Sequence, residues 1–293
     1  MRGDGRPDRW FQLGLAAVLV ALGATLGGLV SGAFAALLGG LSGLAGGAWT
    51  LRLMERRAAR RRALLSRPFP GAWRDLLSER YEHYERLPAE LRRCFERQLG
   101  VFLAEKRITG IGIQPTDELR LLVGASAVTL TAGWPEADWD ALTEVLLYPD
   151  DFDRDYTVGG QDLSGETHAW GTVILSAPAL LESFEYPDDG FHVGLHEFAH
   201  LLDVERSEFD GTPTGLSEER GRDWEALAQA EMRRLREGRS ILDDYGAHDP
   251  AEFFAVAVET FFERPREMRR RHKELYAFLS AYFVQDPAAW DDE

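Results

Sequence analysis

The residues best placed to do chemistry in this 293-residue chain are those of Gly194-Leu195-His196-Glu197-Phe198-Ala199-His200-Leu201-Leu202-Asp203. Two histidines four apart lie one turn above each other on a helix, so His196 and His200 can aim both imidazoles at one ion. Zn2+ suits such a site. Glu197 projects beside the ion, where a carboxylate can take a proton from metal-activated water and deliver it to a leaving amine.

The helix that carries these residues must be anchored. Asp188 and Asp189 can cap its start, and Phe191, Leu195, Phe198 and Leu202 recur as one apolar stripe. Asp203, three residues after His200, is near enough to orient an imidazole from behind. His192 faces the same way as His196, but three imidazoles stacked over two turns span about 12 Å and cannot share one ion. A third ligand must come from elsewhere in the chain.

One candidate stands downstream. Asp249-Pro250-Ala251-Glu252 opens a helix running through Phe253, Phe254, Val256, Val258, Phe261 and Phe262, apolar nearly all round and therefore buried. Carboxylates in such a helix need partners. Glu252 reads either as the closing residue of a capping box after Asp249 or as the third ligand, and the incomplete site upstream favours the ligand. Glu259, two turns on, can support a metal-bound histidine, and Glu263 reads as a solvated helix end.

Charge divides the chain. Up to Arg67 there are ten arginines against three acidic groups, whereas the remainder carries −23 of an overall −16. So acidic a body excludes nucleic acid as a partner, while the basic start suits an anionic membrane surface. Cys94 is the single cysteine and reads as a small core filler, with neither an intrachain disulfide nor a cysteine metal cluster open to the chain.

From Trp10 to Leu51 no charged residue occurs. A single helix of that length would be about twice as long as a bilayer core is thick. A turn near 27–32 gives two spans, glycines recur at four-residue spacing, and arginines flank both ends. The expectation is a transmembrane hairpin over 10–51 after a cytoplasmic tail at 1–9, with a basic juxtamembrane segment over 52–67. One uncleaved span or a secretory signal are the alternatives. On the hairpin reading the chain is a multi-pass inner-membrane protein whose catalytic domain, 68–293, faces the cytoplasm.

Within that domain helices are expected over 73–84 and 88–105, β-like runs at 110–113 and 119–123, a buried strand over 144–149 and an exposed loop over 150–165. The apolar stretch 121–132 reads equally as a small-residue helix. Trp170 to Ser176 reads as a strand just ahead of the metal helix. Gly171, Val173 and Leu175 on it are candidates to bind an extended peptide at an exposed sheet edge, against the plain alternative of a core strand. His168 either lines the cleft or is a solvated loop residue.

His196 to Asp203, Asp244-Tyr245-Gly246-Ala247 and Pro250 to Val256 together resemble the MtfA family of zinc-dependent peptidases, as do stretches near Arg67, Val101 and Gln285. The resemblance covers about residues 68–290. It implies an α+β, zincin-like domain related to the anthrax lethal-factor peptidase, with His196, His200 and Glu252 as zinc ligands, Glu197 as general base and Tyr245 facing the substrate. A histidine expected one position before His192 is not there. The family is also associated with binding a transcriptional regulator of sugar uptake. The expected activity is therefore hydrolysis of a peptide or protein substrate, with sequestration of a regulatory partner as the rival reading.

Overall fold

The computed structural model describes residues 33–292 apart from Glu136, Gln161, Asp162, Arg206 and Ser207. The chain divides into two compact units at Arg67 and Pro68. Among the described residues of the first unit, helix α1 (Ala33–Leu65) runs without a break through the arginines at 52–62. The first expected span and the turn at 27–32 lie outside the described residues. Among the described residues no helix is long and apolar enough to cross a membrane.

The second unit is mixed α and β. It starts with α2 (Gly71–Arg80), α3 (Glu82–Arg86) and α4 (Ala89–Glu105). Leu77, Phe95, Leu99 and Phe102 are buried from these helices, as the 3.6-residue spacing of the last three requires. Strand β1 (Arg107–Gly110) leads into α5 (Asp117–Thr131), and β2 (Glu144–Tyr148) returns parallel to β1 in the same sheet. Strands β3 (Gly165–His168) and β4 (Thr172–Ser176) complete it in the order β1-β2-β4-β3, with only β3 antiparallel to its neighbour.

The run from Leu119 to Val123 is helical rather than strand. Thr116 caps α5 by accepting from the backbone N–H of Leu119, and the alanine-, glycine- and serine-rich middle lets the helix approach neighbours on two sides. At Gly194 a β-carbon would fall 2.3 Å from Ser126 Oγ, so the small residues of α5 decide how closely the metal-motif helix can pack. The loop after β2 is less exposed than its polarity implies, because Phe152 is fully buried and bridges to Val158 and Leu163. Cys94 is only partly buried; its sulfur accepts from Gln98.

After α6 (Ala177–Glu185) comes α7 (Val193–His200), the helix of the His-Glu-His motif. Its N-cap is His192, whose Nδ1 accepts from the N–H of Leu195, rather than either aspartate. Asp189 instead accepts from the N–H of Phe191, which leaves Phe191 exposed outside the helix and the apolar stripe. His192 is thereby turned away from the stack expected for it. A short ribbon, β5 (Val204–Glu205) and β6 (Glu208–Phe209), precedes α8 (Glu218–Arg236).

A 3-10 turn at Asp244–Ala247 leads to α9 (Pro250–Glu263). Asp249 caps α9 through both the Ala251 and Glu252 N–H groups, with Pro250 at the first position where its missing N–H costs nothing. Phe253, Phe254, Val258, Phe261 and Phe262 are all buried. Each such side chain stabilises the fold by about 1.5–3 kcal/mol, so α9 is the axis on which the domain is built. Helices α10 (Pro265–Arg271) and α11 (Lys273–Phe283) and a 3-10 turn over Pro287–Asp292 close it.

Glu263 is not solvated. It is 5% exposed with Oε2 unpaired among the described residues, because α9 keeps its core environment to the last turn. Burial, reinforced by Asp189 and Glu259, pushes its carboxyl up to about 10. Burial likewise lowers the imidazoles of His83 and His192 to about 3, so both are neutral.

Candidate metal centre

The site forms where α7 crosses α9. His196 and His200 lie one turn apart on α7 with ring centroids at 5.0 Å, and Glu252 projects from the first turn of α9. One ligand atom from each of the three lies within 4.8 Å of the others. Glu252 Oε2 is 3.0 Å from His196 Nε2 and 3.6 Å from His200 Nε2. Its carboxylate is therefore turned to the imidazoles while Asp249 alone caps the helix.

The charges around this cluster call for a cation. Burial opposes an imidazolium at His196, yet Glu259, Glu252 and Glu197 outweigh it and hold the pKa well above the usual histidine value. Burial also works against the Glu252 carboxylate, which His196 and His200 nevertheless hold well below the ordinary range. A short contact between Nε2 and Oε2 needs either a proton or a shared metal ion between them. Two imidazoles and one carboxylate, with donors converging from two helices, are the set that a divalent metal such as zinc takes at a catalytic site.

Support behind the ligands is partly in place. Glu259 Oε2 lies 3.0 Å from His196 Nδ1, and its Oε1 accepts from the backbone N–H of His192 at 2.8 Å. That arrangement favours a proton on Nδ1 and leaves Nε2 as the nitrogen that could take a metal ion. Asp203 makes no such bond. It accepts from the N–H of Gly211 at 3.1 Å, and both its Oδ1 and His200 Nδ1 are without partners among the described residues. Burial raises the Asp203 carboxyl to about 7.

A cleft of about 890 Å³ opens over the cluster, lined by Arg154, Gly165, Thr167, Glu197, Phe209 and Tyr245 as well as the three candidate ligands. Glu197 is 6% exposed, and burial raises its pKa above the ordinary carboxylate value. Tyr245, on the 3-10 turn before α9, is half exposed, with its hydroxyl 3.5 Å from Glu252 Oε1. Burial followed by the Glu252 charge raises its pKa, so at neutral pH it is a donor.

The edge strand differs from the one expected. Strand β4 lies between β2 and β3, with Val173 and Leu175 fully buried, so neither can meet a substrate. Gly171 occupies the β3–β4 turn at φ +93°, where its N–H donates to His168 O. Among the described residues the sheet edge beside the cleft is β3, and Gly165, Glu166 and Thr167 line the cleft. The sequence Gly165-Glu166-Thr167-His168 has no apolar alternation, which is why periodicity passes over it. His168 lies outside the cleft lining; it bonds the Tyr156 hydroxyl at 3.0 Å and stacks on Trp170.

Comparison with known proteins places this geometry. The sequence model of the family described as glucose-regulated metallo-peptidase M90 matches residues 55–284. The Synechocystis sp. protein slr2042 is 31% identical over 244 residues, covering 78% of this chain and 89% of its own. Mlc titration factor A of Pectobacterium atrosepticum is 33% identical over 170 residues, 51% of this chain and 62% of that protein. The Edwardsiella ictaluri protein of the same name is 29% identical over 227 residues, covering 70% and 82%. With its family match spanning the whole cleft, this chain belongs to the MtfA family of metallopeptidases, M90.

Proposed function

We propose that the chain is a zinc-dependent peptidase hydrolysing peptide bonds in the cleft between β3, α7 and α9. The observation that carries this reading is the convergence of His196, His200 and Glu252 beside a buried, water-reachable Glu197. His196, His200 and Glu252 would hold a zinc ion, which would supply Lewis-acid polarisation of a substrate carbonyl and acidify a water in the cleft. Glu197 accepts the proton released as that water attacks the carbonyl carbon, then returns it to the leaving amine as the C–N bond breaks. The Tyr245 hydroxyl donates to the oxyanion, and Glu259 holds His196 in one orientation and one tautomer. The test is hydrolysis of a mixed peptide library before chelation, after it and after zinc is restored. Turnover that follows the metal supports the reading; turnover indifferent to the chelator sinks it.

The membrane tether and cytoplasmic orientation are part of the same proposal and are supported by the sequence of residues 10–51 and its arginine flanks alone. Alkaline extraction of membranes distinguishes them: an embedded chain stays in the pellet, whereas recovery in the supernatant removes the hairpin. Relatives that carry the name Mlc titration factor A favour a second reading, in which the domain sequesters a regulatory protein and retains the metal site.

A further inference from the structure

Strand β3 does more than border the cleft. Thr167 is buried, and its hydroxyl lies 2.8 Å from Oε2 of Glu197 and 2.9 Å from the Glu197 carbonyl oxygen. The opposite carboxylate oxygen, Oε1, lies against Gly165, where a β-carbon would come within 2.6 Å of it and 2.7 Å of Cγ. Alternate residues of a strand face the same side, so one strand presents both features to one carboxylate. Among the described residues Glu197 has no other side-chain hydrogen-bond partner.

We propose that Thr167 is a positioning residue for Glu197, occupying Oε2 so that Oε1, with room made for it by Gly165, is the oxygen presented to the cleft. The inference rests on the peptidase reading above. A proton acceptor must sit within about 2.6–3.2 Å of the proton that it takes, and a long side chain left to choose among rotamers spends much of its time elsewhere. Thr167 removes that freedom through its bond to the carboxylate. The same hydroxyl proton is shared with the Glu197 carbonyl, so this one donor also links β3 to the backbone under the side chain.

The experiment compares the full-length, zinc-loaded protein with Thr167→Val, Thr167→Ser and Gly165→Ala. Zinc content and thermal unfolding are measured first; kcat and KM then follow on a peptide that the wild type cleaves. Acetohydroxamate affinity is measured independently, because a metal-chelating hydroxamate shares its proton with the adjacent base. Thr167→Val is expected to keep its zinc and KM while losing about 10–100-fold in kcat, with hydroxamate binding weakened in parallel. Serine at 167 restores both, and Gly165→Ala lowers both by displacing the carboxylate. Should the valine variant unfold, the serine and alanine variants decide by the same readouts. Wild-type kcat and hydroxamate affinity in Thr167→Val, or in Gly165→Ala, overturn the proposal. A hydroxamate pattern as expected, with no peptide cleaved by any of the proteins, leaves the role of Thr167 standing and removes the peptidase reading.

Discussion

The proposed mechanism gives each side chain at the centre of the site a separable task, and single substitutions should separate them. Glu259→Gln keeps the shape behind His196 but gives up the anionic acceptor of its Nδ1 proton. We expect zinc affinity to fall about 10–100-fold, read by competition with a chromogenic chelator. Tyr245→Phe removes a donor and no ligand. Its zinc content should match the wild type while kcat drops by roughly 100-fold, the scale for losing one preorganised oxyanion donor. An unchanged kcat would leave Tyr245 as a turn residue with no part in the reaction. Asp203 is the residue whose expected task the geometry does not supply, since its partner is the Gly211 N–H rather than His200.

At the scale of elements, the site depends on how two helices start. The Asp249 cap orders the first turn of α9, and the same turn carries Glu252. Asp249→Ala should lower unfolding free energy by about 1 kcal/mol, measured in urea, and weaken zinc binding alongside. Loss of stability with undiminished zinc affinity would uncouple the cap from the ligand. The His-Glu-His helix and the capped, all-round apolar helix of Glu252 were legible in sequence because local spacing sets both. Strand β3 was not: four polar or small residues carry no periodic signal, and their place at the sheet edge is set by pairing with β4. The burial of Glu263 and the capping by His192 were equally hidden, since both arise from elements distant in sequence that pack around them. The swap of edge from β4 to β3 has the same origin, a hairpin whose first strand is too short and too polar to announce itself.

At the scale of the whole molecule, the buried acid at Glu263 should mark stability over a wide pH range. Its carboxyl titrates near 10 in the folded chain against an ordinary 4.5, so between those values the native state holds a proton that the unfolded state has lost. Stability should therefore fall as pH rises through that window, by about 1.4 kcal/mol per pH unit for this one group. His83 and His192 act oppositely below their ordinary value of 6.5, losing stability as pH falls toward 3. Urea unfolding from pH 6.5 to 9 should show a shallower slope in Glu263→Gln than in the wild type; identical slopes would mean that Glu263 is ionised in the native chain. The acidic body and arginine-rich start do not alter the central claim, which concerns one ion between α7 and α9. The measurement that tests it most directly is zinc per chain, with peptide turnover followed alongside, in the wild type, Glu252→Gln and Glu197→Gln. The account predicts one zinc with turnover in the wild type, zinc lost in the Glu252 variant, and zinc kept with turnover abolished in the Glu197 variant. Stoichiometric zinc in all three with no peptide cut would contradict it.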